Sequence, residues 1–209
     1  MSSSTTTTPY AAAYAPHQAM LETVRSRDWG LLIDNEQRPA AGGATFTTVD
    51  PATEQPLAEV ADAGAADVDA AVRSAQRGFE IWREYSPQGR ASAVREVAGL
   101  IREHAEELAL LDALDGGSPL AAMRKDTAWA SEMLEMFADW ALMIKGETYP
   151  GAGTGLHYSR PEPYGVVGRI IPFNHPLFFA AGKLGAPLMA GNAVILKAPD
   201  QTPLSSLRL

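Results

Sequence analysis

The sequence predicts an α/β fold in which small strands and helices lead into the start of a parallel sheet. Three observations carry that expectation. Residues 166–171 (VVGRII) and 193–196 (AVIL) are short β-branched runs, and about a dozen mostly apolar residues of helical character separate them. Polar residues sit where each run ends, Asn174 after the first and Lys197 after the second. Strand, crossover helix and strand make a parallel βαβ unit of right-handed sense. Ligands of open α/β sheets bind outside the carboxyl ends of the strands, so Asn174 and Lys197 are candidates from placement alone. On adjacent strands those ends lie roughly 5 Å apart. A single βαβ unit has too few strands for helices to cover both faces, so the sheet is expected to be incomplete.

The elements before it follow in order. Residues 1–20 contain no Asp, Glu, Lys or Arg and begin with a Ser/Thr run, so residues 1–28 are expected to be a disordered tail. Residues 30–33, 46–49 and 56–60 read as short strands, with Asp34–Asn35 and Gly42–Gly43 as turns. Val68, Val72, Ala75, Phe79 and Trp82 recur at helical spacing. Pro87 opens a further helix, whose stripe of Val94, Val97, Ile101 and Leu108 ends at Gly116–Gly117. A third stripe runs through Met123, Thr127, Ala130, Leu134, Phe137, Ala141 and Ile144. After a glycine-rich break (GAGTG, 151–155) comes a candidate strand over 156–160, set apart from the βαβ unit by Pro161 and Pro163.

Bulk properties exclude several classes. With 46% apolar and 20% charged residues, the 209-residue chain has an ordinary globular composition. Its net charge of −8, from 17 basic and 25 acidic residues, argues against nucleic acid or an anionic membrane as partner. The absence of cysteine excludes disulfides, thiolate metal sites and a cysteine nucleophile within these residues. Prolines, asparagines and Lys183 interrupt the apolar stretch 170–196 too often for a membrane span, and the first residues lack a secretory pattern. The expected location is the cytoplasm.

Gly151, Gly153 and Gly155 do not make a dinucleotide fingerprint, because Leu156 stands where its last glycine belongs; a flexible turn is the better reading. Gly182–Lys183 lacks the remaining residues of a phosphate loop. His17, His104, His157 and His175 show no metal-ligand spacing and read as solvated or packed. Asn174 reads two ways. Its amide could donate to charge developing on a substrate oxygen, or it could cap a turn before Pro176. Lys183 is the lone charged residue between Arg169 and Lys197, so it must snorkel, find a partner or serve chemistry. Lys197 and Asp200 could donate to and accept from ribose hydroxyls, or form an ordinary surface ion pair.

Taken together, PFNHP (172–176), GKLGAPLMAGN (182–192) and LKAPDQTPLSSL (196–207) resemble the aldehyde dehydrogenase superfamily. VDPATEQPLAEV (49–60), FEIW (79–82) and LDGGSP (114–119) fit the amino-terminal pattern of the same family, so the resemblance runs from Trp29 to the end. It implies an incomplete Rossmann-like NAD(P)-binding domain over residues 29–209, a β oligomerisation arm near 146–163, and no catalytic domain.

By position in the motifs, Asn174 resembles the family's oxyanion-hole asparagine, and Lys183 a lysine assigned a charge-relay role. Ile171, Phe173, Lys197 and Asp200 match cofactor-contacting positions. The family often has Trp where Phe173 stands and Glu where Asp200 stands. An acid at Asp200 would repel a 2′-phosphate, which favours NAD over NADP. In the family a thiolate attacks the aldehyde, hydride passes to the nicotinamide, and a base-activated water releases the carboxylic acid. The nucleophilic Cys and the Glu base lie downstream of the motifs seen here. The expectation is therefore an amino-terminal fragment of an NAD(P)-dependent aldehyde dehydrogenase, inactive alone and a homo-oligomer when complete. The rival is a stand-alone, non-catalytic protein that keeps the fold for cofactor binding or assembly.

Overall fold

The structure is a computed structural model that describes residues 9–209. It opens with helix α1 (Pro9–Ser26), so the expected disordered tail is corrected over that segment; residues 1–8 of the tail lie outside the described residues. The physical reason is an apolar stripe that finds a core. Val24 is fully buried, Met20 and Leu21 pack beside it, and the Trp29 indole donates to the Val24 carbonyl at 2.8 Å.

Strands β1 (Leu31–Ile33) and β2 (Glu36–Arg38) form a hairpin. Asp34 and Asn35 turn it with φ of 59° and 61°, the left-handed pair a two-residue hairpin needs. The sequence reading has the turn and the first strand but not β2, whose Glu, Gln and Arg carry no strand pattern. Strands β3 (Thr45–Asp50) and β4 (Gln55–Ala61) make a second antiparallel pair.

Helix α2 (Ala65–Trp82) lies against the parallel sheet, and the Trp82 indole donates to the Leu188 carbonyl at 2.9 Å. Its expected first stripe residue, Val68, is exposed. Helix α3 (Pro87–Glu103) starts as expected, with Pro87 in its first turn and the Ser86 hydroxyl accepting from Gly89 N–H. Its buried face is Ala91, Val94, Ala98 and Ile101. Val97 is exposed, because the helix turns the face of Ala91, Val94, Ala98 and Ile101 toward the core.

The chain breaks at His104 and restarts as α4 (Ala105–Gly116), where the sequence suggests one continuous stripe. Helix α4 is buried on several sides, between the two hydrophobic clusters. Gly117 ends it with φ of +67°, and an added Cβ there would come 2.7 Å from the Pro51 ring. Helix α5 (Leu120–Asp139) packs along α3 and stops short of the predicted stripe, leaving Ile144 exposed.

Strands β5 (Thr148–Pro150) and β6 (Leu156–Tyr158) form an exposed hairpin closed by the glycine-rich turn, with Gly151 N–H donating to Gly155 O at 2.9 Å. The βαβ unit follows. Strand β7 (Val166–Ile170) and strand β8 (Ala193–Lys197) are adjacent and parallel, from Val166 opposite Ala193 to Ile170 opposite Lys197. The crossover is not one regular helix. A π-helical turn (Phe178–Gly182) precedes α6 (Gly185–Met189), and α7 (Leu204–Arg208) comes after β8.

One cluster joins α3 and α5 to the crossover through Ile101, Leu134, Leu177, Ala181 and Met189. The other joins α1, β4, α4 and α7 through Val24, Leu57, Leu111, Leu114 and Leu204. The two clusters fix both loops at the carboxyl ends of β7 and β8. No helix among the described residues is long and apolar enough to cross a membrane.

Candidate functional site

The parallel register brings the two strand ends side by side. Ile171, just past β7, donates its N–H to the Lys197 carbonyl at 3.3 Å and is buried. Phe173 is exposed, but its carbonyl accepts from the Thr202 hydroxyl at 3.0 Å, which ties the loop after β7 to the loop after β8. Asn174 lies at the exposed crest of that turn. Its side-chain amide makes no hydrogen bond within the described residues, and the helical turn begins beyond it, so it is not a helix cap. An unpartnered amide at a strand end is available to a ligand oxygen.

Lys197 and Asp200 hydrogen-bond to each other at the end of β8, both more than half exposed. An exposed pair of this kind contributes about 0–1 kcal/mol to stability. Lys183 is exposed after the π-helical turn, and no bond links it to the other four positions or to Asn174. The strand ends thus gather Ile171, Phe173, Asn174, Lys197 and Asp200, while Lys183 stands outside that hydrogen-bonded framework.

Three buried aspartates hold these loops in place, and the sequence reading missed all of them. Asp112 accepts from Leu177 N–H at 3.1 Å, and Asp115 from Leu204 N–H at 3.0 Å. Asp126 contacts His175 Nδ1 at 2.5 Å. The signal was present for two of them. Asp112 and Asp115 are isolated carboxylates in the apolar helix LALLDALDG, and like the lone Lys183 they must find partners or serve chemistry.

Burial pushes the Asp112 and Asp115 carboxyls up to about 7. Unfolded, such groups titrate near the ordinary value of about 3.9. Between those limits the folded chain keeps protons that the unfolded chain has released. Stability therefore falls as pH rises from about 4 to about 7, then levels off. The expected result is a lower urea midpoint at about pH 7.5 than at about pH 5, with the slope reduced in Asp112→Asn. A midpoint that rises across this interval would contradict the assignment.

The parallel pair with its crossover defines an α/β domain, and its polar residues Asn174, Lys197 and Asp200 lie at the strand ends, where open α/β sheets bind ligands. The chain belongs to the aldehyde dehydrogenase family, which residues 38–209 match. A putative aldehyde dehydrogenase of Bacillus subtilis, DhaS, is 43% identical over 192 residues, covering 90% of this chain and 39% of the relative. The NADP/NAD-dependent aldehyde dehydrogenase PuuC of Escherichia coli is 38% identical over 200 residues, covering 94% of this chain and 40% of the relative. The NAD+ complex of the Bacillus cereus aldehyde dehydrogenase superposes with a TM-score of 0.85 at 42% identity, covering 90% of this chain and 39% of that one. The chain thus spans about two fifths of the length of the relatives it matches. The expected family and fold class hold.

Proposed function

We propose that this chain supplies the cofactor side of an NAD-dependent aldehyde dehydrogenase site that converts an aldehyde to a carboxylic acid. The observation that carries the reading is the unpartnered Asn174 amide at the end of β7, one strand from the Lys197–Asp200 pair at the end of β8. The residues present fit a dinucleotide. Lys197 and Asp200 offer a donor and an acceptor to a vicinal diol, and the exposed Phe173 offers apolar contact beside them. The buried Ile171 holds the strand end against which the cofactor would lie. When bound, the nicotinamide accepts the hydride that leaves the aldehyde carbon.

The chain's own residues do the rest of what is proposed here. The Asn174 amide donates to the carbonyl oxygen as that oxygen gains negative charge. Asp200 disfavours a 2′-phosphate, so NAD is preferred to NADP. Lys183, exposed and without an ion pair among the described residues, is the relay candidate. The 209 residues hold no cysteine, so a thiolate nucleophile would come from outside them. The β5–β6 hairpin, with Tyr149, Leu156 and Tyr158 exposed, is proposed as the arm that joins copies of the complete enzyme.

The test uses a full-length enzyme containing this segment. Aldehyde-dependent NADH formation supports the reading, and its absence across aliphatic and aromatic aldehydes overturns it. Lys197→Ala should weaken NAD about tenfold to a hundredfold by calorimetry, since a hydrogen bond to a charged group is worth roughly 1.5–3 kcal/mol. Asp200→Ser should weaken NAD and narrow its margin over NADP. Both variants should keep the wild-type melting temperature, because the pair is exposed. Unchanged NAD affinity in both would assign the pair to the surface.

A further inference from the structure

We propose that the Asp126–His175 pair is a positioning device that fixes the turn carrying Asn174. The inference rests on the oxyanion role proposed above for that amide. His175 directly follows Asn174, and its Nδ1 lies 2.5 Å from an Asp126 carboxylate oxygen. The Asp126 side chain is 4% exposed, on helix α5, an element otherwise remote in sequence from the turn.

The Asn174 side chain makes no hydrogen bond within the described residues, so its neighbours set where its amide points. They are held individually. The Phe173 carbonyl accepts from Thr202, Leu177 N–H donates to Asp112, and the His175 carbonyl accepts from Phe179 N–H at 3.0 Å. Those bonds fix backbone on either side of the crest. The contact through His175 Nδ1 is the one side-chain hydrogen bond made from within the PFNHP turn among the described residues, beside the packing of the fully buried Pro176. The ring also packs edge-on against Phe179 with centroids 6.1 Å apart.

The energetics point to position, not to stability. A buried carboxylate loses hydration, and a well-packed apolar pair of similar volume often replaces such a contact at no loss of stability. What the pair supplies is direction. A carboxylate on a packed helix fixes one ring nitrogen, and through the ring it fixes the Cα adjacent to Asn174. Misplacement of a reacting-site group by about 1 Å is enough to cost about a hundredfold in rate.

The chemistry gives a specific signature. An asparagine in place of His175 sets its amide N–H where Nδ1 now lies, whereas a glutamine reaches to the position of Nε2. In a full-length enzyme containing this segment, His175→Phe, His175→Gln and Asp126→Ala should lower kcat about ten- to hundredfold, with the NAD dissociation constant unchanged. His175→Asn should retain most of the wild-type kcat. The Asp126→Ala/His175→Phe double variant should lose no more than either single one, because both remove the same contact.

Crystal structures of wild type and His175→Phe give a second readout, independent of turnover, in which the Asn174 amide should be displaced by about 1 Å or lose order. Equal loss in His175→Asn and His175→Gln, additive loss in the double variant, or an unmoved Asn174 would overturn the proposal. His175 is 44% exposed on its side chain, so its variants stay informative even if Asp126→Ala fails to fold. If the wild type oxidises no aldehyde yet Asn174 moves in His175→Phe, the positioning stands and the oxyanion role falls.

Discussion

Purified alone, the 209-residue chain is expected to reduce neither NAD nor NADP in the presence of any aldehyde. The reaction needs a nucleophile to form the covalent adduct, and the chain contains no cysteine. A hydroxyl could substitute only with an adjacent base to activate it. Ser205 is 1% exposed and shut off from substrate, and among the described residues the Ser206 hydroxyl has no hydrogen-bond partner to serve as that base. Placement fails as well. Hydride transfer needs the nicotinamide held against the aldehyde carbon, a constraint equivalent to roughly 10⁵–10⁸ M in effective concentration. Here the strand ends that would hold the cofactor are open, with Ile170 83% exposed and Phe173 58% exposed. The assay is absorbance of reduced cofactor with mass-verified protein and several aliphatic and aromatic aldehydes. Turnover above the blank that disappears in Asn174→Ala would demand a different mechanism. Turnover that appears only on adding a cysteine-containing chain would make the two chains halves of one site.

The βαβ unit was legible because both strand runs are β-branched, the helix between them is apolar, and prolines and glycines punctuate their ends. The same local rules gave the Asp34–Asn35 turn, the Pro87 helix start and the Gly117 helix stop, each decided by one or two residues. What escaped was set by tertiary contact. Helix α1 has no charged face over most of its length, and only the pocket formed by β4, α4 and α7 gives Val24 somewhere to go. Ala98 and not Val97 lies on the buried face that α3 turns to the core it shares with α5, a choice between two apolar neighbours that periodicity alone cannot weigh. At the site, motif position singled out Asn174, Lys197 and Asp200, and the parallel register brings the two strand ends that carry them together. It did not find Asp112, Asp115 or Asp126, whose partners lie 49 to 89 residues away in sequence.

In a full-length enzyme containing this segment, Asn174→Ala should cut aldehyde oxidation by about a hundredfold to a thousandfold in kcat while NAD affinity stays near wild type. The size follows from what an amide donor does at such a site. In the ground state it meets a neutral carbonyl oxygen; as the carbon is attacked, that oxygen becomes an anion and the hydrogen bond strengthens. Only the strengthened part lowers the barrier, so the loss appears in kcat more than in substrate binding. NAD affinity should hold because the residues proposed for the ribose, Lys197 and Asp200, bond to each other and not to Asn174. Folding should hold too. The Asn174 amide makes no hydrogen bond within the described residues and the residue is exposed, so its removal leaves no buried group unsatisfied. Asn174→Asp separates charge from shape. It is close in size, but its carboxylate accepts hydrogen bonds and repels the developing anion, so it should be at least as slow as the alanine variant. Steady-state rates, calorimetric NAD binding and thermal unfolding on the three proteins decide the matter. Near-wild-type kcat in Asn174→Ala with a normal melting temperature would remove the amide from the chemistry and leave it as an exposed turn residue.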